Sequence, residues 1–67
     1  MKTCFETIGA GYPIKLEQSA SGKVFKITYG VQIDTTRSYS EAAALLGQAI
    51  MHAAACDGLL DNGPPND

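Results

Sequence analysis

Three side chains in this sequence have the chemistry to hold a metal or attack a substrate: His52, Cys56 and Cys4. His52 and Cys56 stand four residues apart, so on a helix an imidazole and a thiol would share one face, with Cys4 as a third donor from elsewhere. A tetrahedral zinc site needs a full donor set, and no Cys-x-x-Cys or His-x-x-x-His pair completes one. Read instead as a thiol–imidazole pair, Cys56 would need an electropositive, accessible position. It falls at the negative C-terminal end of the helix described below, on the stripe expected to face the core. Gly9-Ala10-Gly11 has part of the spacing of a phosphate loop but lacks the third glycine and the following helix. No carboxylates pair, because Glu6, Glu17, Asp34 and Glu41 are scattered over different elements. The expectation is a non-enzymatic chain with no metal and no cofactor.

Length and charge narrow the remaining classes. At 67 residues there is room for one domain, and a chain of this size buries only about 60% of the surface it exposes unfolded. Such small domains commonly add disulfides, metals or association to their core, and two cysteines give no disulfide framework. The net charge of −2 and pI near 5.1 disfavour phosphate neutralisation as the main activity. Lys15, Lys23 and Lys26 would lie opposite the aromatic face of the sheet, so they read as solubilising charges rather than a base-stacking platform. Charged residues enter too early in Met1-Lys2-Thr3-Cys4-Phe5-Glu6 for a signal peptide. Gln48 and His52 interrupt the longest apolar stretch, which argues against a membrane span. The expected setting is a reducing cytoplasm with both thiols free.

The elements that must position these residues follow from periodicity. Phe25, Ile27, Tyr29, Val31 and Ile33 alternate with Lys26, Thr28, Gly30, Gln32 and Asp34, which predicts one long half-buried strand over 23–34, about 35 Å in length. Gly30 at its middle suggests a bulge or a close backbone approach. Ile14 to Gln18 also alternates and joins the long strand through Ser19-Ala20-Ser21-Gly22, a hairpin signal. Thr3 to Ile8 is a further strand, set off by Gly9-Ala10-Gly11-Tyr12-Pro13. Ser38 and Glu41 match a capping box, an alanine-rich helix runs from Tyr39 to about Asp57, and Gly58 suits the residue after its C-cap. The fold expected is α+β: a three-stranded antiparallel sheet (β-β-β-α) packed against one long C-terminal helix. It forms a single domain over 1–60, with a flexible tail over 61–67.

Steps of 100° place Ala42, Leu45, Leu46, Ala49, Ile50, Ala53 and Cys56 on a stripe facing the sheet. Their expected partners are Phe25, Ile27, Tyr29, Val31 and Ile33 with Ile14 and Leu16. Off that stripe lie Ala43, Ala44, Gly47, Met51, Ala54 and Ala55, where an ordinary surface helix would carry Lys and Glu. That face reads either as an alanine-rich surface chosen for helix propensity or as a contact surface.

The run Phe25-Lys26-Ile27-Thr28-Tyr29, continued by Asp34-Thr35-Thr36-Arg37-Ser38-Tyr39-Ser40-Glu41-Ala42, resembles the strand–loop–helix of HicB-type antitoxins, in which an S-x-x-E-A helix follows a strand ending at an acidic residue. Strands followed by an alanine-rich helix are also similar to the back half of a double-stranded RNA-binding domain. As a small acidic chain with a bare interaction surface, the whole resembles the phage-encoded inhibitors of the anti-CRISPR type, a group with no shared motif from which to carry residues over. That last resemblance implies an inhibitor that occludes a nucleic-acid-binding surface of a larger complex such as a CRISPR effector. Glu6, Glu17, Asp34, Glu41, Asp57 and Asp61 would then stand in for phosphates. The alternative is an antitoxin or regulatory module forming a homodimer through the strip of Ala43, Gly47, Met51 and Ala54.

Overall fold

The computed structural model describes residues 1–59. The expected tail over 61–67, and with it Asp61, lies outside the described residues. The described residues form four strands and a helix: β1 (Lys2–Gly9), β2 (Tyr12–Gln18), β3 (Phe25–Tyr29), β4 (Gln32–Thr36) and α1 (Tyr39–Cys56). The strands make one antiparallel sheet in the order β1-β2-β3-β4, and α1 covers one face of it. The class is α+β as expected, but the sheet has four strands rather than three.

The extra strand comes from the segment read as one long strand, which turns back on itself at Gly30-Val31. Gly30 has φ +62°, the left-handed conformation that a tight two-residue hairpin needs and that glycine enters without a Cβ clash. A methyl group there would also meet the Tyr12 ring at 3.1 Å. The alternation misleads because it runs unbroken through the turn. A two-residue hairpin pairs each odd-numbered residue with an even-numbered one, as in Ile27 with Asp34 and Thr28 with Ile33. Phe25, Ile27 and Tyr29 therefore face the helix, whereas Ile33 is carried to the opposite face and is 56% exposed. Val31 sits at the hairpin tip, 99% exposed. Neither is the core partner that the pattern predicts, and Asp34 takes a place on the helix side.

The β1–β2 hairpin closes through Ala10-Gly11, both at positive φ (54° and 79°). For alanine this conformation costs about 1–2 kcal/mol. The Ala10 N–H donates to a carboxylate oxygen of Asp57 at 2.8 Å, tying the turn to the far end of α1. Along β1 the pairing with β2 shifts register between Thr3 and Phe5, with Cys4 as the extra residue of a bulge.

Helix α1 begins where the capping signal places it. The Ser38 side chain accepts the Glu41 N–H at 3.1 Å. The second half of the expected box is altered: the Glu41 carboxylate accepts from the Thr36 hydroxyl, and the Ser38 N–H donates to that same hydroxyl at 3.1 Å. At the other end Gly58 has φ +72°. The Gly58 and Leu59 N–H groups donate to the carbonyls of Ala55 and Ala54, the paired bonds of a Schellman ending.

Five of the described residues are buried: Ile14, Ile27, Ala42, Ala49 and Ala53. The three alanines mark the line along which α1 comes nearest the sheet. Gly9 is the sheet's counterpart, since a Cβ on it would lie 2.6 Å from the Ala53 Cβ. Small residues meet along the contact line and the larger ones flank it, so Leu45 and Leu46 are half-buried and Ile50 is 38% exposed.

Candidate functional site

The two sides of α1 differ in chemistry. On the side toward β4, a shallow groove is lined by Ile27, Tyr29, Gln32, Asp34, Leu45 and His52, among others. The Tyr29 hydroxyl lies 3.3 Å from His52 Nδ1, and the two rings meet edge to face at 5.8 Å. Tyr12 adds a second edge-to-face contact with Tyr29 at 6.2 Å. Desolvation raises the Tyr29 pKa above its ordinary 10.0, and Cys56, Asp57 and Tyr12 nearby push it the same way. Gln32 Nε2 donates to the Asp34 carboxylate at 3.3 Å.

The expected spacing of His52 and Cys56 holds: Cys56 Sγ is 3.9 Å from each ring nitrogen of His52. Cys56 is exposed rather than buried on the core stripe, as the last residue of α1. Cys4 does not join the pair. Its Sγ lies near the Lys2 carbonyl and Gln18 Oε1, at the end of the sheet away from the β1–β2 turn that Asp57 holds. Among the described residues no group of three or more His, Cys, Asp or Glu side chains is placed to hold a metal ion.

The acidic residues do not converge. Glu6 and Glu17 lie on the sheet face away from α1, where Glu6 is opposite Lys15 and Glu17 pairs with Lys26 at 3.9 Å. Asp34 lies in the β4 groove. Glu41 is bound into the start of α1, and Asp57 holds the Ala10 N–H at its end. They occupy the outer sheet face, one groove and the two ends of the helix.

The small-residue strip does form one surface. Ala43, Met51 and Ala55 are exposed, and Gly47 and Ala54 are half-buried. A Cβ on Gly47 would meet nothing within 4 Å. From Ala42 to Cys56 the helix carries no formally charged residue. This surface continues toward β1, which α1 meets less than any other strand. Phe5 is 44% exposed there and Leu59 77%, whereas Ile8 alternates to the opposite sheet face with Glu6. Ile8, Ile50, Ala54 and Leu59 line one depression of about 150 Å³ with Ile14 and Ala53 at its floor.

The reading of the sequence missed this flank because it assigned Ile50 to the core and left Phe5 and Leu59 without a role. A signal was present: the alanines at 42, 49 and 53 define the closest approach, and Ile50 sits about 80° from it at 100° per residue. Among the described residues no helix is long and apolar enough to cross a membrane. No protein-family model, no curated protein and no solved structure matches the chain.

Proposed function

We propose that this chain is a non-enzymatic protein–protein interaction module that presents the uncharged side of α1, and the β1 flank beside it, to another protein. The observation that carries this reading is the apolar surface with no formal charge between Ala42 and Cys56, bordered by exposed Phe5, Ile50 and Leu59. Monomeric proteins rarely leave large apolar patches open without a contact to make. Free Cys4 and Cys56 fit action in a reducing cytoplasm.

As an inhibitor of the anti-CRISPR type, the chain would occlude its target by apolar burial rather than by imitating phosphates. The acidic residues are spread over separate surfaces, and Glu17 is already paired with Lys26. The test is capture by the tagged chain at low and high salt. Capture that survives high salt and is unaffected by joint charge reversal of Asp34 and Glu41 is the expected outcome. Salt-sensitive capture lost on that reversal would favour the acidic surface instead. A chain that neither captures a protein nor associates with itself at any concentration is not an interaction module.

A further inference from the structure

The groove between α1 and β4 holds a charge that the fold does not use. Asp34 is the one formal charge on the helix-facing side of β3 and β4, where the other residues are Phe25, Ile27, Tyr29, Gln32 and Thr36. Strand pairing sets it directly across from buried Ile27, and it is half-buried there. Its Oδ2 accepts from Gln32 Nε2 at 3.3 Å. Its Oδ1 has no hydrogen-bond partner among the described residues, and no Lys or Arg lines the groove. A carboxylate drawn partly out of water with no opposite charge carries a desolvation cost that a cation seated against it would offset.

The surroundings of Asp34 say which kind of cation fits. Ile27 and Ala49 are buried at the bottom of the groove with Leu45 half-buried beside them, and exposed Gln48 and His52 stand at its rim. The cavity is about 220 Å³, smaller than the roughly 300–1,000 Å³ of sites for drug-sized molecules, so the ligand must be small. A divalent metal ion needs several convergent donors, and the described residues offer no such group. A hydrated inorganic cation would gain nothing from the apolar bottom. An ammonium ion joined to an apolar body meets both parts of the groove. Its N–H groups suit Asp34 and the amide oxygens of Gln32 and Gln48, and its carbon suits Ile27, Leu45 and Ala49. The Tyr29 ring adds an aromatic wall beside the charge.

We propose that this groove binds a small amphipathic amine, a primary ammonium ion carrying an aryl group, with the ammonium on Asp34 and the ring over Ile27, Leu45 and Ala49. The site lies on the flank of α1 away from the proposed protein contact and does not depend on it. The test is a nitrogen–proton correlation NMR titration of the whole chain with phenethylammonium, with phenethyl alcohol and phenylacetate as its neutral and anionic counterparts. Phenethylammonium should give saturable shifts at Gln32, Asp34, Leu45, Ala49 and His52, with a dissociation constant of about 1 mM. The alcohol should bind about tenfold more weakly and phenylacetate not at all. Asp34→Asn should weaken phenethylammonium binding about tenfold or more, the scale of one charge-assisted hydrogen bond. Gln48→Lys, at an exposed helix position, supplies a competing ammonium and should weaken binding too. It gives the reading if circular dichroism shows that Asp34→Asn does not fold. Absence of saturable shifts, equal binding of the ammonium and the alcohol, or an affinity unchanged by both substitutions overturns the proposal. So does tighter binding of Nα-acetyl-lysine amide than of phenethylammonium, which would make the ligand a lysine of another protein.

Discussion

The two flanks of α1 rest on the same sheet and are finished differently. Toward β4 the helix is held by polar groups and aromatic edges, Tyr29 against His52 and Thr36 with Glu41 and Ser38, beside the Gln32–Asp34 bond within the strand. Toward β1 the boundary is apolar and open, with Phe5, Ile50 and Leu59 exposed and one polar tie, Asp57 to Ala10. The polar groups that hold the helix are satisfied by one another and gain little from a protein partner. An apolar flank stays in contact with water until something covers it, at about 25 cal/mol per Å² of area left uncovered. The difference identifies which side of a small helix with no formal charge after Glu41 is available for association.

The largest expected effect comes from forcing the β1 side apart. Gly9→Ala places a methyl group against Ala53 and Ile14, where the gap is 2.6 and 3.1 Å. Overpacking of that kind should destabilise the fold by about 1–3 kcal/mol. Urea denaturation followed by circular dichroism reads it, and an unchanged midpoint would show that β1 and α1 are not closely seated. A smaller effect comes from loosening the β4 side. Ser38→Ala removes the acceptor for the Glu41 N–H and should cost about 1 kcal/mol, whereas wild-type stability in that variant would mean the Thr36–Glu41 contact holds the helix start alone.

The smallest effect sharpens the electrostatics of the β4 side. In a Tyr12→Phe, Tyr39→Phe background, the absorbance of Tyr29 should titrate above the ordinary value of 10.0, chiefly through desolvation. Its folded pKa is raised, so the stability linked to it is present below that ordinary value and is lost as pH rises through the raised one. Titration at or below the ordinary value would mean that Tyr29 is not packed against His52 and Tyr12.

Much of the fold was legible in the residues. Ser38 and Gly58 mark the ends of α1 because capping is a local event, decided within a few residues. The strand count was not legible, because a hydrophobic alternation that passes through Gly30-Val31 looks the same whether the chain goes straight or turns. Only the pairing of Ile27 with Asp34 tells the two apart, and that is a tertiary fact. The apolar flank was hidden for a related reason. Periodicity identifies Ile50 as apolar and near the sheet-facing side, but where α1 sits against β1 depends on the Gly9–Ala53 contact, which joins distant parts of the chain.

The order of the strands has a consequence for how the chain is made. Each strand pairs with the one before it in sequence, and α1 comes last. During synthesis the chain emerges from its N-terminus, so all four strands leave the ribosome before any residue that covers them. Isolated hairpins are marginal in water, and Ile14 and Ile27 have no cover until Ala49 and Ala53 arrive. The sheet is therefore covered only once α1 has emerged, and its apolar face is open to the ribosome's surroundings until then.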